Sequence, residues 1–319
     1  MPTITYEGKT YRCSHDEFLL DSLNRQGAKL ASGCHGGHCH VCMIKVIKGQ
    51  TPEQPYTDVK ITMKEKGYFL PCICKPESDL EIAQPQRRDQ FITTNVTDVD
   101  SLNAGIIRLR TTLPAEFEYR PGQFVNLIRA EDALTRSYSL ASIPKDKRLE
   151  FHIRVLPDGK MSNWIANDIQ ADDEILLSEA KGKCYYQYFD SDRPLLLAGT
   201  GSGLAPLYGI LRDALTSGHH ARICLLHGAK CSDELYYTQQ LKQLADAHEN
   251  FSYIPCLLNG NIPEHALSGP IDEHIPAQLA SDQHWKAFLC GDSAIVGLMR
   301  RCCFKHGVDA SDIHCDAFV

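Results

Sequence analysis

Ser32-Gly33-Cys34-His35-Gly36-Gly37-His38-Cys39-His40-Val41-Cys42-Met43-Ile44-Lys45 is the stretch from which the rest of the chain is best read. Its cysteines, Cys34, Cys39 and Cys42, stand at C-x4-C-x2-C, with Gly36 and Gly37 inside the wider gap. That is the spacing of one class of [2Fe–2S] loop. The chemistry asks for this composition. A loop wrapped around inorganic sulfide must aim backbone N–H groups at sulfur, and glycines permit the positive φ angles of a tight wrap. A fourth thiolate has to come from elsewhere, and the next cysteines are Cys72 and Cys74 in Leu70-Pro71-Cys72-Ile73-Cys74. Zinc also takes four thiolates, but structural zinc sites usually pair two short C-x2-C units, which x4 followed by x2 does not match.

The chain has 319 residues, 43% hydrophobic and 23% charged, the composition of an ordinary globular protein with room for two or three domains. A net charge of −7 gives no basic excess for nucleic acid and leaves a mildly acidic surface open to a protein partner. No apolar run approaches the ~18 residues of a membrane span. The polar, alternating start Thr3-Ile4-Thr5-Tyr6 is unlike a signal peptide. Fourteen cysteines without such a signal argue for reduced thiols in the cytoplasm, most of them small buried hydrophobes.

Residues 1–85 read as a small β-rich unit. They hold a hairpin Thr3–Cys13 turning at Gly8-Lys9, a helix Asp16–Leu23, a strand Met43–Ile47 and a last strand Leu80–Ile82. Gln84–Gln90 is a polar, proline-broken linker. Residues 90–189 carry many short strand patterns and one helix, Ser162–Asn167, which suggests an antiparallel barrel. Residues 190–319 alternate apolar strands with helices: Leu195–Ala198, helix Leu204–Leu215, Arg222–Gly228, helix Ser232–Asn250, Ala287–Cys290 and helix Ser293–His306. That alternation means a parallel α/β sheet.

Two further motifs carry chemistry. Gly199-Thr200-Gly201-Ser202-Gly203, with Pro206, lies between a buried strand and a helix. There the backbone can approach a pyrophosphate and the helix N-terminus offers free N–H groups, although an ordinary strand-to-helix turn also uses glycine. Arg136-Ser137-Tyr138-Ser139 places a guanidinium suited to phosphate, a ring suited to a flat heterocycle, and two hydroxyls on one strand.

In this order the three motifs resemble the ferredoxin–NADP reductase superfamily, and within it the iron–sulfur flavoprotein reductases that serve bacterial oxygenases. The resemblance runs from Thr3 to Phe318. It implies a multidomain α+β and α/β chain: a β-grasp plant-type ferredoxin domain, an antiparallel β-barrel flavin domain and a parallel-sheet nicotinamide dinucleotide domain. It implies FAD, a [2Fe–2S] cluster and a nicotinamide as cofactors. By analogy Cys72 joins Cys34, Cys39 and Cys42 as the fourth cluster ligand. Arg136 meets the FAD pyrophosphate, with Ser137 beside it; Tyr138 packs on the isoalloxazine and Ser139 bonds near N5. His152, Ile153 and Arg154 line the flavin chain, and Gly159, Lys160, Met161 and Ser162 cap its pyrophosphate. Gly199, Thr200, Gly201, Ser202, Gly203 and Pro206 hold the dinucleotide; Cys290, Gly291 and Asp292 lie beside the nicotinamide, Asp292 standing where the family usually has proline. The tail Asp316-Ala317-Phe318-Val319 brings an aromatic to the flavin, so Cys290 and Phe318 manage nicotinamide access, and no residue serves as acid or base.

After the second strand of the dinucleotide domain come one cation, Lys230, and two acids, Asp233 and Glu234. Acids favour two free ribose hydroxyls, hence NADH, with Asp233 at the ribose. The expected acceptor is a terminal oxygenase or its ferredoxin, and the expected state is a cytoplasmic monomer. A sugar-deoxygenating enzyme as acceptor, or a redox sensor without turnover, are the competing readings. His35, His38 and His40 depart from the family loop; they read as solvated loop residues or as groups able to tune the cluster.

Overall fold

The computed structural model describes residues 1–318 except 15, 53, 57, 58, 60, 86–90 and 280–283. Residues 86–90 of the expected linker Gln84–Gln90, and Val319 of the expected tail, lie outside the described residues. The described chain forms two compact units: residues 1–92, 126–137 and 176–179, and residues 93–125, 138–175 and 180–319.

The first unit is built on β1 (Thr3–Tyr6), β2 (Lys9–Arg12), α1 (Leu19–Arg25), β3 (Ile44–Lys48), α2 (Ile61–Glu65), β4 (Tyr68–Phe69) and β5 (Leu80–Ala83). The strands make one sheet in the order β2-β1-β5-β3-β4, with β1 and β5 parallel. Alternate residues Ile4, Tyr6, Ile44, Leu80 and Ile82 face a core that also takes Leu19, Leu20 and Leu23 from α1. Burying each such side chain contributes roughly 1.5–3 kcal/mol, enough to hold a seven-residue helix that would not form alone. The hairpin turns at Glu7-Gly8, one residue earlier than expected. Both residues have positive φ (49° and 74°), the two-residue turn whose twist matches the strands.

A second sheet runs β10-β7-β6-β11-β8-β9. Its strands are β6 (Ile92–Asn103), β7 (Ile106–Thr112), β8 (Phe124–Ile128), β9 (Thr135–Ser139), β10 (Arg148–Arg154) and, after helix α3 (Lys160–Asn167), β11 (Glu174–Leu177). Leu140, just past β9, bridges to Phe151 on β10, and Ala141 N–H donates to the Glu150 carbonyl at 2.9 Å. These bonds join the two edges of the sheet and close it as a barrel.

The third sheet is β15-β14-β13-β12-β16-β17. Its elements are β12 (Leu195–Thr200), α4 (Leu204–Thr216), β13 (Ile223–Ala229), α5 (Thr238–Ala247), β14 (Phe251–Leu257), β15 (Leu267–Ser268), α6 (Ile271–Gln278), β16 (Lys286–Asp292), α7 (Ser293–Lys305) and β17 (Ile313–Phe318). The strand pairs are parallel. Leu195 and Leu197 point into one apolar core with Leu204, Leu207 and Leu241; Leu196 and Ala198 point into another with Ile275, Val296 and Met299. Burial on both faces explains the unbroken apolar run of β12. One helix was expected over Ser232–Asn250. The chain instead makes a short 3₁₀ turn at Ser232–Glu234 and breaks at Tyr237, φ 57°, before α5. Tyr236 and Tyr237 are buried there, and their packing overrides the helical pattern.

Candidate functional site

In the first unit the cysteine loop, residues 34–42, lies outside every helix and strand. Its backbone turns on Gly37 (φ 79°) and on two histidines at positive φ, His35 (51°) and His40 (58°). Histidine is among the few non-glycine residues enriched there, which gives these two a conformational reason to be present. His35 Nδ1 also lies 3.3 Å from Asp21. The N–H groups of Gly36, His38 and Cys39 all donate to Cys34 Sγ at 3.4 Å, and Cys34 N–H donates to Cys39 Sγ at 3.4 Å.

The four thiols fall into two pairs. Cys34 shares a thiol hydrogen bond with Cys39, and Cys72 shares one with Cys42. Within each pair one thiol, Cys34 or Cys72, is held low by its partner's S–H, against the opposing effect of burial and with backbone N–H donors adding to the lowering. Cys72 sits on a 3₁₀ turn (Pro71–Ile73) and receives the Gly37 N–H. Cys74 points elsewhere, fully buried against Cys13. Among the described residues no three ligating side chains converge on one point as around a single ion. Two thiols to each of two irons is the donor set of a [2Fe–2S] cluster, so the residues present fit that group.

On β9 the two serines point their hydroxyls at different partners. Ser137 Oγ donates to Asn126 Oδ1 at 2.7 Å, and Ser139 Oγ to Asp316 Oδ2 at 2.7 Å. Arg136 is exposed, and among the described residues its guanidinium bonds locally, to the Thr135 carbonyl, which leaves donors for an anion. Burial pushes the Asp316 carboxyl up, against the pull of the Ser139 hydroxyl. On β10, His152 and Ile153 are closed off from solvent, so Arg154 alone offers an exposed side chain from that expected trio. Lys160 is exposed and Met161 buried. The Ser162 hydroxyl is spent on the local turn, accepting from Leu156 N–H and donating to the Gly159 carbonyl.

The glycine loop follows β12, whose neighbours are β13 on one side and β16 on the other. The chain therefore leaves β12 in one direction and returns on the opposite side, and ligands of such sheets bind at the strand ends of that switch point. Gly199, Gly203 and Gly291 are packed backbone on backbone: a Cβ at Gly199 would lie 2.9 Å from the Cys290 oxygen, and one at Gly291 2.9 Å from the Thr200 oxygen. Gly201 alone is open, with φ 55° and no atom within 4 Å of a Cβ, the free cradle a pyrophosphate needs. Pro206 is buried in the first turn of α4, where its missing N–H costs nothing. Cys290 is fully buried and its sulfur lies 3.7 Å from Cys184, so the backbone of Cys290, not its thiol, faces the loop.

Asp292 caps α7, accepting from Ala294 N–H at 2.9 Å. This accounts for an acid at that place, and Asp-Ser before an apolar helical run is a capping signal readable from sequence. The expected tail is a sixth strand: β17 pairs Asp316 with Cys290 and Phe318 with Asp292, which sets Phe318 at the same end of the sheet. Asp233 lies in the 3₁₀ turn after β13.

His152 belongs instead to a buried polar network. Its Nε2–H donates to Glu150 Oε1 at 3.1 Å, and its Nδ1 accepts from Tyr236. Glu150 also accepts from Arg110 (2.7 Å) and Tyr237 (2.8 Å). Burial would raise the Glu150 carboxyl, but these donors hold it well below the usual carboxylate range. Burial keeps His152 neutral, with Arg108 and Arg110 adding to the effect, and lowers His227 to about 3.

A pH dependence follows. A histidine whose folded pKa is depressed contributes stability above its unfolded value, about 6.5, and loses it as pH falls. Each of the two histidines should then take away up to about 1.4 kcal/mol per pH unit below 6.5. Asp213, raised to about 6 by burial, opposes one of them between about 3.8 and 6. Urea midpoints should be flat from pH 7 to 8 and fall from 6.5 to 5, and His227→Gln should reduce that slope.

Three family profiles match: a 2Fe-2S iron-sulfur cluster binding domain over residues 3–77, an oxidoreductase FAD-binding domain over 93–186 and an oxidoreductase NAD-binding domain over 197–301. The chain is 31% identical to the ferredoxin–NAD(P)(+) reductase component of the naphthalene 1,2-dioxygenase system of Pseudomonas putida, over 94% of this chain and 93% of that one. It is 29% identical to the phenol hydroxylase P5 protein of Acinetobacter pittii, over 99% and 94%. Among solved structures it is similar to a cytochrome P450 reductase of Amycolatopsis, with a TM-score of 0.71 and 25% identity, covering 100% of this chain and 99% of that one.

Proposed function

Because the chain belongs to the iron–sulfur flavoprotein reductases of the ferredoxin–NADP reductase superfamily, we propose that it takes electrons from NADH and delivers them singly to the oxygenase component, or its ferredoxin, of an aromatic-hydroxylating system. When bound, the flavin supplies the step from hydride to single electrons and the cluster carries them onward. The chain's own residues bind, orient and shield. Cys34, Cys39, Cys42 and Cys72 hold the cluster. Arg136 neutralises the FAD pyrophosphate, and Tyr138, Arg154 and Lys160 extend that site. The loop Gly199–Gly203 receives the dinucleotide, with Asp233 toward the ribose. Cys290, Gly291 and Phe318 shape the approach of the nicotinamide.

The observation that carries the reading is the pairing of four thiols, two and two, in a chain that also has the open Gly201 cradle at a sheet switch point. Three domains, 1–85, 90–189 and 190–319, are the division proposed, in a cytoplasmic monomer. No helix among the described residues is long and apolar enough to cross a membrane.

The test is direct. Purified protein should contain FAD, iron and acid-labile sulfide. NADH added without oxygen should bleach the flavin and then the cluster band, and cytochrome c should be reduced in steady state. NADH should exceed NADPH in kcat/KM by at least about tenfold, because Asp233 and Glu234 disfavour a 2′-phosphate. Zinc in place of iron and sulfide, or flavin reduction with no turnover, would sink the proposal.

A further inference from the structure

Asn126 is 3% exposed on β8, in a run of otherwise apolar residues, Val125 to Ile128. Asparagine is disfavoured in strands, and a buried amide without partners is costly. Its backbone is already satisfied by a reciprocal pair with Ser178: Asn126 N–H donates to Ser178 Oγ at 2.9 Å, and Ser178 N–H to the Asn126 carbonyl at 2.9 Å. The side chain is therefore surplus to the sheet, and its two bonds lead in opposite directions along the chain. Nδ2 donates to the Cys39 carbonyl at 2.9 Å, and Oδ1 accepts from Ser137 at 2.7 Å. Chemistry fixes which end is which. A carbonyl only accepts, so nitrogen must face Cys39, and the Ser137 hydroxyl must then donate to the oxygen.

Cys39 is held from its other side as well, since its N–H donates to Cys34 Sγ at 3.4 Å. A shift of Cys39 would move one thiol and a hydrogen-bond donor of another. The segment has no regular structure to resist that shift, and the next residue, His40, sits at φ 58°. All four partners, Cys39, Asn126, Ser137 and Ser178, fall within the first compact unit. One buried amide thus ties the Cys39 peptide to a serine of the Arg136–Ser139 strand.

We propose that Asn126 is a positioning residue that fixes the Cys39 segment of the cluster loop to the flavin-motif strand, and that the rate of electron passage into the cluster depends on this bond. The proposal rests on the reading of Cys39 as a cluster thiolate. Asn126→Asp isolates the bond: it is isosteric and still accepts from Ser137, but it cannot donate and sets a carboxylate against the Cys39 carbonyl. Asn126→Ser removes both side-chain bonds without adding charge, in case the aspartate variant does not fold.

Iron, sulfide and FAD content should match the parent, and flavin bleaching by NADH in stopped flow should stay within about twofold of it, because the two side-chain bonds that change are those to Cys39 and Ser137. Bleaching of the cluster band that follows should slow by about tenfold or more. Amide hydrogen exchange over Cys39–Val41 should speed up by about tenfold, the equivalent of about 1.4 kcal/mol. The exchange measurement holds whether or not the enzyme turns over. Unchanged exchange and an unchanged cluster rate in a folded variant would overturn the proposal. So would loss of iron, which would make Asn126 a determinant of cluster retention, or an equally slowed flavin step, which would tie it to the flavin strand alone. If the parent protein itself lacks iron, the reading of Cys39 fails instead, and that outcome is visible before any variant is made.

Discussion

Cys72→Ser should empty the protein of iron and acid-labile sulfide, whereas Cys74→Ala should leave both in place. The two cysteines are two residues apart, and spacing does not choose between them. Their surroundings do. Cys72 lies on the 3₁₀ turn Pro71–Ile73, bonds the Cys42 thiol and receives the Gly37 N–H. Cys74 ends that turn with its side chain in the apolar core beside Cys13, and its carbonyl accepts from Leu19 N–H at 2.8 Å. Bringing Cys74 to the loop would break that bond and take a fully buried side chain out of the apolar core it fills. Removing one thiolate of four leaves an iron site incomplete, and serine is a poor replacement for a soft sulfur ligand. The expected loss is therefore nearly complete. Cys74→Ala should cost only a small void, about 1 kcal/mol of stability. Iron and sulfide assays with visible spectra decide the first point, urea denaturation the second. Retention of iron by Cys72→Ser together with its loss from Cys74→Ala would reverse the assignment.

The contrast shows how far sequence reaches in this chain. Elements with a strong local period were legible: the apolar runs of β12 and β13 and helices α4 and α7 lie where their patterns put them. The failures come from contacts distant in sequence. The Tyr237 break is forced by bonds to Arg108 and Glu150, 129 and 87 residues away. β17 read as a tail because its residues, Ile313 to Phe318, are only partly buried at the sheet edge and carry little apolar signal. Asn126 was invisible because its partner Cys39 lies 87 residues away, and Ser139 gave no hint of Asp316, 177 residues on. The site was legible as motifs, but the division of labour within a motif was not. His152 and Ser162 fit the flavin pattern by position, yet their polar atoms are committed to the protein. The glycine loop is the sharpest case, since three identical residues serve two different ends.

Gly203→Ala should reduce the rate of flavin reduction by NADH about a hundredfold or more while leaving reduction by dithionite unchanged. The backbone at Gly203 is helical, φ −60° and ψ −16°, so alanine is conformationally acceptable there. Space is the obstacle. A Cβ would collide with the Cys290 carbonyl, 2.6 Å from its carbon and 2.8 Å from Gly291 Cα. These are backbone atoms of β16, bound into the sheet through the Gly199–Cys290 pair, and they have no rotamer by which to yield. Either β16 or the first turn of α4 must shift by an appreciable part of an ångström. Overpacking of this kind costs roughly 1–3 kcal/mol, which a domain with two apolar cores should survive folded. Function should suffer more, because a displacement near 1 Å between reacting groups can cost about a hundredfold in rate. Gly201→Ala supplies the control. Its Cβ meets no protein atom, and the positive φ alone costs about 1 kcal/mol. No neighbouring atom has to give way, so its loss should appear in KM for NADH and not in kcat, as expected if that open face receives the pyrophosphate. A Gly203→Ala enzyme as fast as the parent would mean that the end of β16 does not govern the nicotinamide's position. A Gly201→Ala enzyme with unchanged KM would mean that the dinucleotide is held elsewhere.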